Sequence, residues 1–198
     1  IHGVLHKALK QAVLIGYLRT NPSEACILPR IIRKEMHPLE EDQVAVFLRE
    51  VQGHPHEYLY KIALFTGLRE GEVLGLGWEH IDFQAGTLTV KRQLRREQKK
   101  GGEYYFSPPK NNKSRCLTLA PSVIQLFRLQ KLEQNSMRME AGDAWEEHGL
   151  IFTNQTGGYL SYRTVYDCFK RIVRNIGAPA TVSYTHLRAH ETRHDLVC

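Results

Sequence analysis

Apolar residues recur at intervals of three and four in much of the chain, which is the spacing of amphipathic helices. This spacing predicts helices over residues 5–18, 38–51, 57–65, 70–76, 121–138 and 161–176. Residues 86–94 instead alternate and are rich in β-branched side chains, which predicts one strand, and shorter strands are expected at 104–106 and 116–119. The pattern therefore predicts an α+β fold that is mostly α, with a small antiparallel β-sheet.

The segment between the first two helices is interrupted by proline. Pro22, Pro29 and Pro38 fall within residues 21–38, and a basic cluster of Arg30, Arg33 and Lys34 lies among them. Proline fixes its own φ angle and donates no backbone hydrogen bond, so this spacing predicts an extended linker. We accordingly expect one unit at residues 1–20, a linker at 21–37 and a second unit from residue 38.

Composition excludes several classes of protein. Hydrophobic residues make up 42% of the 198 positions and charged residues 24%, which is typical of a soluble globular protein. No apolar run approaches the roughly 18–20 residues of a membrane helix. The four cysteines (Cys26, Cys116, Cys168 and Cys198) are far apart and form no CxxC pair, so we expect free thiols in a cytoplasmic protein, with no disulfide and no metal site.

Positive charge is concentrated in one segment. The net charge is +6, and six of the basic side chains lie within ten residues: Lys91, Arg92, Arg95, Arg96, Lys99 and Lys100. Such a run fits a polyanionic partner, and it equally fits a solvated basic hairpin. From the charges alone both interpretations stay open.

The segment from Thr66 to Trp78, T-G-L-R-E-G-E-V-L-G-L-G-W, reads as a helix end, a glycine corner and a short second helix. Arg69 follows the corner, where its guanidinium could bind a phosphate. Glu72, three residues on, could hold that arginine by an i, i+3 pair. From the residues alone, a surface salt bridge is the simpler interpretation.

This segment, with Ile81-Asp82 after it, resembles the first catalytic box of the tyrosine recombinases, the phage integrase family. Residues 109–119, P-K-N-N-K-S-R-C-L-T-L, resemble the hairpin that carries the catalytic lysine of that family. Residues 21–38 resemble its interdomain linker, and 150–177 resemble the approach to its second box. The resemblance implies a partial catalytic domain at residues 38–181, preceded by the last helix of a helical core-binding domain.

The resemblance also implies a function, namely site-specific recombination of double-stranded DNA through a 3′-phosphotyrosyl intermediate. Arg69 would be the first catalytic arginine. Lys110 would protonate the leaving group, and it is preferred to Lys113 because the family lysine precedes the turn, here Asn111-Asn112. The expected DNA-backbone contacts are basic residues of the hairpin region: Arg92, Arg95, Arg96, Lys99, Lys100 and Lys113.

The expected partners are DNA and further protomers in a synaptic tetramer, without a cofactor, a metal ion or a membrane. Two alternatives remain. A DNA-binding protein without catalysis would keep the basic surface but would have no use for Arg69 together with Lys110. A protein-interaction module built on the same helices would not bind DNA at low salt.

The last residues look like the second family box but have a different expected origin. His190, Arg193 and His194 have H-x-x-R-H spacing, yet His190 lies farther beyond Gly177 than the family histidine usually does, and its surroundings are polar. Residues 182–192, V-S-Y-T-H-L-R-A-H-E-T, match one reading frame of a transposase adapter used in DNA sequencing libraries, and Leu196-Val-Cys matches its continuation. We therefore expect residues 182–198 to be a non-native tail.

The same resemblance bears on the nucleophile. The family tyrosine follows the second box, whereas Tyr159, Tyr162, Tyr166 and Tyr184 all lie before or beside its expected position. The chain as given is therefore expected to lack the second arginine, the box histidine and the nucleophilic tyrosine, and so to cleave no DNA by itself. The activity is expected of the parent protein.

Overall fold

The computed structural model describes residues 2–29, 39–97, 99, 101–109 and 112–178. The chain forms two compact units, residues 1–34 and 35–198. The predicted class is confirmed, because helices predominate and the strands form small antiparallel sheets. The tail from residue 182 lies outside the described residues, as do residues 30–38 of the expected linker.

The first unit is a helix with a short turn folded onto it. Helix α1 spans His2–Leu14, and a 3-10 helix spans Pro22–Ala25. The start of the segment predicted as extended is therefore folded. The cause is local, because the Asn21 carboxamide oxygen accepts from the backbone N–H of Ser23 at 3.0 Å and from its hydroxyl at 2.7 Å. His6 binds the same hydroxyl at 2.9 Å.

The second unit contains five α-helices, two short 3-10 helices and five strands within the described residues. The helices are α2 (Glu41–Glu50), α3 (Glu57–Thr66), α4 (Glu70–Leu74), α5 (Pro121–Ala141) and α6 (Tyr162–Asn175). The strands are β1 (Ile81–Asp82), β2 (Thr87–Val90), β3 (Gln93–Arg96), β4 (Tyr104–Ser107) and β5 (Arg115–Thr118). Strands β1, β2 and β5 form one antiparallel sheet, and β3 and β4 form a separate hairpin.

The strand predicted over residues 86–94 is divided in two, which corrects the sequence-based prediction. Strand β2 ends at Val90, and β3 begins at Gln93 in the other sheet. The reason lies at Arg92, whose Nε donates to the carbonyl of Gly75 at 3.0 Å. The side chain of Arg92 turns toward α4, and the chain leaves the first sheet at this point.

One part of the core of this unit is formed by aromatic side chains of α2, α3 and α6. Phe47, Tyr60 and Phe169 are fully buried, with ring centroids 5.9–6.2 Å apart. The Tyr60 hydroxyl donates to the carbonyl of Val165 at 2.8 Å, so its polar end is satisfied within the core. These contacts fix α3, the helix that leads into the segment carrying Arg69.

The β3–β4 hairpin packs directly against α4. A Cβ atom at Gly75 would lie 2.8 Å from the backbone nitrogen of Leu94, and one at Gly71 would lie 3.1 Å from its carbonyl oxygen. At Gly75 a side chain would displace the strand backbone, and at Gly71 it would crowd that backbone. Gly71 and Gly75, two of the four glycines of the first box, are therefore explained by packing of the hairpin on the helix.

Within the described ranges, no helix has the length and apolar character that are needed to cross a bilayer.

Candidate active site

The corner between α3 and α4 positions Arg69. Gly67 ends α3 with φ of 62°, in the left-handed region, and its N–H donates to the carbonyl of Ala63 at 3.0 Å. Leu68 is buried and anchors the corner in the core. Arg69 then starts α4 with an extended backbone, and 57% of its side chain is exposed. The guanidinium is thus held at the surface by a well-anchored turn.

Glu72 lies beneath this arginine with only 1% of its side chain exposed. One carboxylate oxygen accepts from the backbone N–H of Arg69 at 2.8 Å, which caps the first turn of α4. The other oxygen lies 3.3 Å from the Arg69 guanidinium. The predicted i, i+3 pair is therefore confirmed, but it involves a buried carboxylate and is more than a solvated surface pair.

A second arginine binds the same carboxylate. Arg115, at the start of β5, donates to the two oxygens of Glu72 at 2.8 and 2.7 Å in bidentate geometry. Local spacing predicted no role for Arg115, because it does not connect positions 43 residues apart. The available signal was a glutamate among apolar residues of a predicted helix, since a carboxylate that becomes buried needs a cationic partner.

The two arginines keep Glu72 ionised. Burial by itself raises the pKa of the Glu72 carboxyl. The hydrogen bonds from Arg115 and from the backbone of Arg69, with the charges of both arginines, outweigh that effect, and the pKa lies below its ordinary value. The site is thus a fixed carboxylate between two guanidinium groups, of which Arg69 is the more exposed.

The lysine segment leads into β5. The N–H of Asn112 donates to the carbonyl of Pro109 at 2.8 Å, and Asn112 has φ of 56°, so a tight turn is present where the sequence predicted one. Lys110 itself lies outside the described residues. Lys113 is exposed, two residues before Arg115. One residue separates Lys113 from Arg115, which binds Glu72.

The basic residues of the hairpin are not equivalent. Arg92 is occupied within the fold, because it also pairs with Glu79 at 3.1 Å and lies 4.1 Å from the centre of the Phe106 ring. Arg96 donates from Nε to the carbonyl of Gly102 at 2.8 Å but keeps an exposed side chain. Arg92 is one of the residues predicted to contact DNA, and in the structure its side chain connects the hairpin to the first box.

The remaining hairpin arginines border a cleft of about 510 Å³ between the hairpin and α6. Arg95 and Arg96 line one side, and Arg163 of α6 lines the other. Lys99 is exposed and pairs with Glu97 at 2.7 Å, whereas Lys100 lies outside the described residues. The cleft therefore combines exposed positive charge from two elements that are distant in sequence.

Glu70, beside Arg69 in sequence, is also buried, but its surroundings differ from those of Glu72. It is 3% exposed, and neither carboxyl oxygen has a hydrogen-bond partner of regular geometry in the described part of the chain. Burial raises the pKa of Glu70 to about 8, and interaction with the Tyr162 hydroxyl opposes this rise only in part. Glu70 is accordingly protonated in the folded protein at neutral pH.

Replacing Glu70 with glutamine is expected to remove a pH dependence of stability. In the unfolded chain this carboxyl ionises near its usual value of 4.5, and in the folded chain near 8. Its favourable contribution is fully present below pH 4.5 and declines by about 1.4 kcal/mol per pH unit until about pH 8. Chemical denaturation from pH 4.5 to 8.5 measures this decline, which Glu70→Gln should abolish. The exposed Glu140 provides the control Glu140→Gln, and an equal slope in wild type and Glu70→Gln would contradict the prediction.

The chain is similar in sequence to proteins of a known family. The sequence profile of the phage integrase family matches residues 36–197. The matched span runs through His190, Arg193 and His194, and the adapter origin of this segment stays a prediction.

A tyrosine recombinase XerC-like protein of Caldanaerobacter subterraneus subsp. tengcongensis is 26% identical over 98% of the chain. The chain spans about half the length of that relative, 52%.

Solved structures share the fold. The Tn1549 transposon integrase in complex with transposon right end DNA superimposes with a TM-score of 0.79 at 23% identity, over 94% of this chain and 62% of that one. A lambda integrase tetramer bound to a Holliday junction gives a TM-score of 0.61 at 18% identity, over 94% and 50%. The family profile covers most of the chain, and the fold agrees with it. The chain therefore belongs to the phage integrase family of tyrosine recombinases.

Proposed function

We propose that the whole protein cuts and rejoins double-stranded DNA at specific sites as a tyrosine recombinase. The observation that carries this proposal is the exposed Arg69 guanidinium held by the buried carboxylate of Glu72, which Arg115 also binds, in a chain of the integrase family. A DNA-binding protein without catalysis would need no such arrangement. The alternative is therefore not favoured.

The proposed chemistry is a transesterification at a DNA phosphate. A tyrosine hydroxyl loses its proton to water as its oxygen attacks phosphorus, the bond to the 5′ oxygen breaks, and a 3′-phosphotyrosyl link stores the bond energy. Negative charge grows on the non-bridging oxygens, where Arg69 stabilises it. Lys110 supplies the proton that the leaving 5′ oxygen takes up. The reverse reaction rejoins the strand, so the cycle consumes no nucleotide.

The proposed partners are duplex DNA and further copies of the protein. The basic cleft bordered by Arg95, Arg96 and Arg163 offers backbone contacts, and Lys99, Lys100 and Lys113 are proposed to extend them. The Tn1549 structure contains transposon DNA, and the lambda structure is a tetramer on a Holliday junction. We infer that the protein assembles on DNA in a comparable tetramer, in the cytoplasm and without a cofactor.

DNA binding by the 198-residue chain tests the proposal. We expect it to bind duplex DNA weakly, with an affinity that falls steeply as salt rises, because phosphate contacts dominate. Arg95→Gln with Arg96→Gln should lower the affinity and the salt slope, whereas Arg128→Gln, an exposed arginine of α5, should not. No detergent-resistant adduct should form. Absence of binding at low salt would favour a protein-interaction module, and an adduct would show that the chain is itself active.

Sequencing of the source DNA across codon 181 tests the origin of the tail. We expect the reading frame to continue into an H-x-L-R-H segment and a later tyrosine in place of residues 182–198. Amplification outward from a primer upstream of this codon avoids the library adapters, and the codons before 178 serve as an internal control. A read that returns Val182 to Cys198 and continues would instead restore His190 and Arg193 as second-box candidates.

A further inference from the structure

Arg115 is the stronger of the two partners of Glu72. Its guanidinium makes two hydrogen bonds of 2.8 and 2.7 Å, one to each oxygen, whereas the Arg69 guanidinium approaches one oxygen at 3.3 Å. Bidentate pairing of this kind combines charge with fixed orientation. The carboxylate is therefore committed to Arg115, and its contact with the Arg69 side chain is secondary.

The charges of the site lead to a functional consequence. Two guanidinium groups and one carboxylate leave a net charge of +1, and the more exposed arginine is Arg69, at 57% against 37% for Arg115. If Arg115 were absent, the buried carboxylate would have Arg69 as its remaining charged partner. A closed Arg69–Glu72 pair would be neutral overall and would attract a phosphate less strongly.

The same bond connects two parts of the proposed site. Arg115 is the first residue of β5 and pairs in register with Val90 of β2. The segment that contains Lys110 and Lys113 ends directly before it. Because Glu72 belongs to α4, the Arg115–Glu72 pair joins the end of the lysine segment to the helix that begins after Arg69.

We propose that Arg115 is a positioning residue that binds the charge of Glu72 and so leaves the Arg69 guanidinium available for a DNA phosphate. Arg115 contacts Glu72 and acts through it. The inference rests on the proposed function in one respect, which is that Arg69 binds phosphate. The pairing itself can be tested without DNA.

The first experiment follows the Glu72 carboxyl by carbon-detected NMR in the DNA-free chain as pH is varied. The charged groups that act on Glu72 are Arg69, which precedes α4, and Arg115 of β5. We expect the titration of Glu72 to move to higher pH in Arg115→Gln, because the largest of the contributions that lower its pKa is lost. Arg128→Gln should leave it unchanged. Titration at the same pH in wild type and Arg115→Gln would overturn the inference, whether or not the chain binds DNA.

The second experiment measures duplex affinity at low salt. Arg115→Gln should weaken binding about tenfold and reduce the salt slope by about one, as though a phosphate contact were lost. Glu72→Gln combined with Arg115→Gln removes one charge of each sign and keeps the net charge of +1. We expect this double variant to recover to within about twofold of wild type. An affinity that stays as low as that of Arg115→Gln, in a double variant with wild-type melting behaviour, would show that Arg115 contacts DNA directly.

Two further variants separate charge from geometry. Arg69→Gln should weaken binding as much as Arg115→Gln does, and the two together should weaken it by less than the sum of the two losses, because both act through one phosphate contact and the double variant adds only the unpaired charge of Glu72. Arg115→Lys keeps the charge but loses the bidentate fork, so an affinity between those of wild type and Arg115→Gln is expected. Additive losses in the Arg69→Gln, Arg115→Gln pair would overturn the inference.

Failure of the wild-type chain to bind duplex DNA would reject the proposed function, and the carboxyl titration would then decide the pairing alone.

Discussion

In the full-length protein, Arg69→Gln is expected to lower the rate of DNA strand cleavage by about a hundredfold to a thousandfold. This is the usual cost of removing one fixed donor that stabilises charge in a transition state. Glutamine cannot carry the charge that offsets the negative oxygens of the phosphate. The rate of covalent adduct formation on a nicked substrate, which traps the phosphotyrosyl intermediate, measures the loss.

The structure indicates that this variant should still fold. The backbone N–H of residue 69 caps α4 through Glu72, and that bond does not depend on the side chain at position 69. Glu72 also retains its two bonds to Arg115. Arg128→Gln is the matched control, since it removes an exposed arginine from α5. A cleavage rate within about threefold of wild type in Arg69→Gln would refute the catalytic role of this residue, because fixed donors contribute far more.

Lys110→Ala is expected to slow cleavage by about a hundredfold to ten-thousandfold, which is the range of general acid catalysis. Lys113→Ala, the matched control three residues later, should have a milder effect because we assign it to backbone contact. The Asn112–Pro109 hydrogen bond joins two backbone groups and involves no lysine side chain. Single-turnover cleavage by each variant measures the difference.

The leaving group provides a more specific test of Lys110. A substrate with sulfur in place of the 5′ bridging oxygen leaves as a thiolate, which needs little assistance from an acid because a thiol is far more acidic than an alcohol. This substrate should restore cleavage by Lys110→Ala but not by Arg69→Gln. Equal losses in Lys110→Ala and Lys113→Ala on the normal substrate would undo the choice of lysine. Failure of the sulfur substrate to rescue Lys110→Ala would argue against proton donation.

Local patterns predicted the elements well where a helix buries one face. The boundaries expected for α3, α5 and α6 agree with the structure to within about one turn, because apolar spacing reports directly on which face is buried. The strand over residues 86–94 was less well predicted. Its alternation continues through residues 91 and 92, but in the fold Arg92 contacts Gly75 and Glu79, and the chain passes there from one sheet to the other.

The candidate site shows the same limit. The sequence placed Arg69 and Glu72 on one helix face, since i, i+3 spacing is a property of the helix itself. It could not show that Glu72 is buried or that Arg115 binds it, because both depend on β5 packing beside α4. The buried Glu70 is a similar case, since its unusual ionisation arises from what surrounds it in the fold.

The family, the order of the elements and the position of the first box can be read from the amino-acid sequence, because they depend on residue identity and on spacing along the chain. The distribution of the charges depends on the tertiary structure. That structure turned Arg92 into the fold, brought Arg163 to the side of the cleft opposite Arg95, and paired Glu72 with a residue 43 positions away. The physical reason is that burial and ion pairing depend on distances in space, which local spacing does not encode.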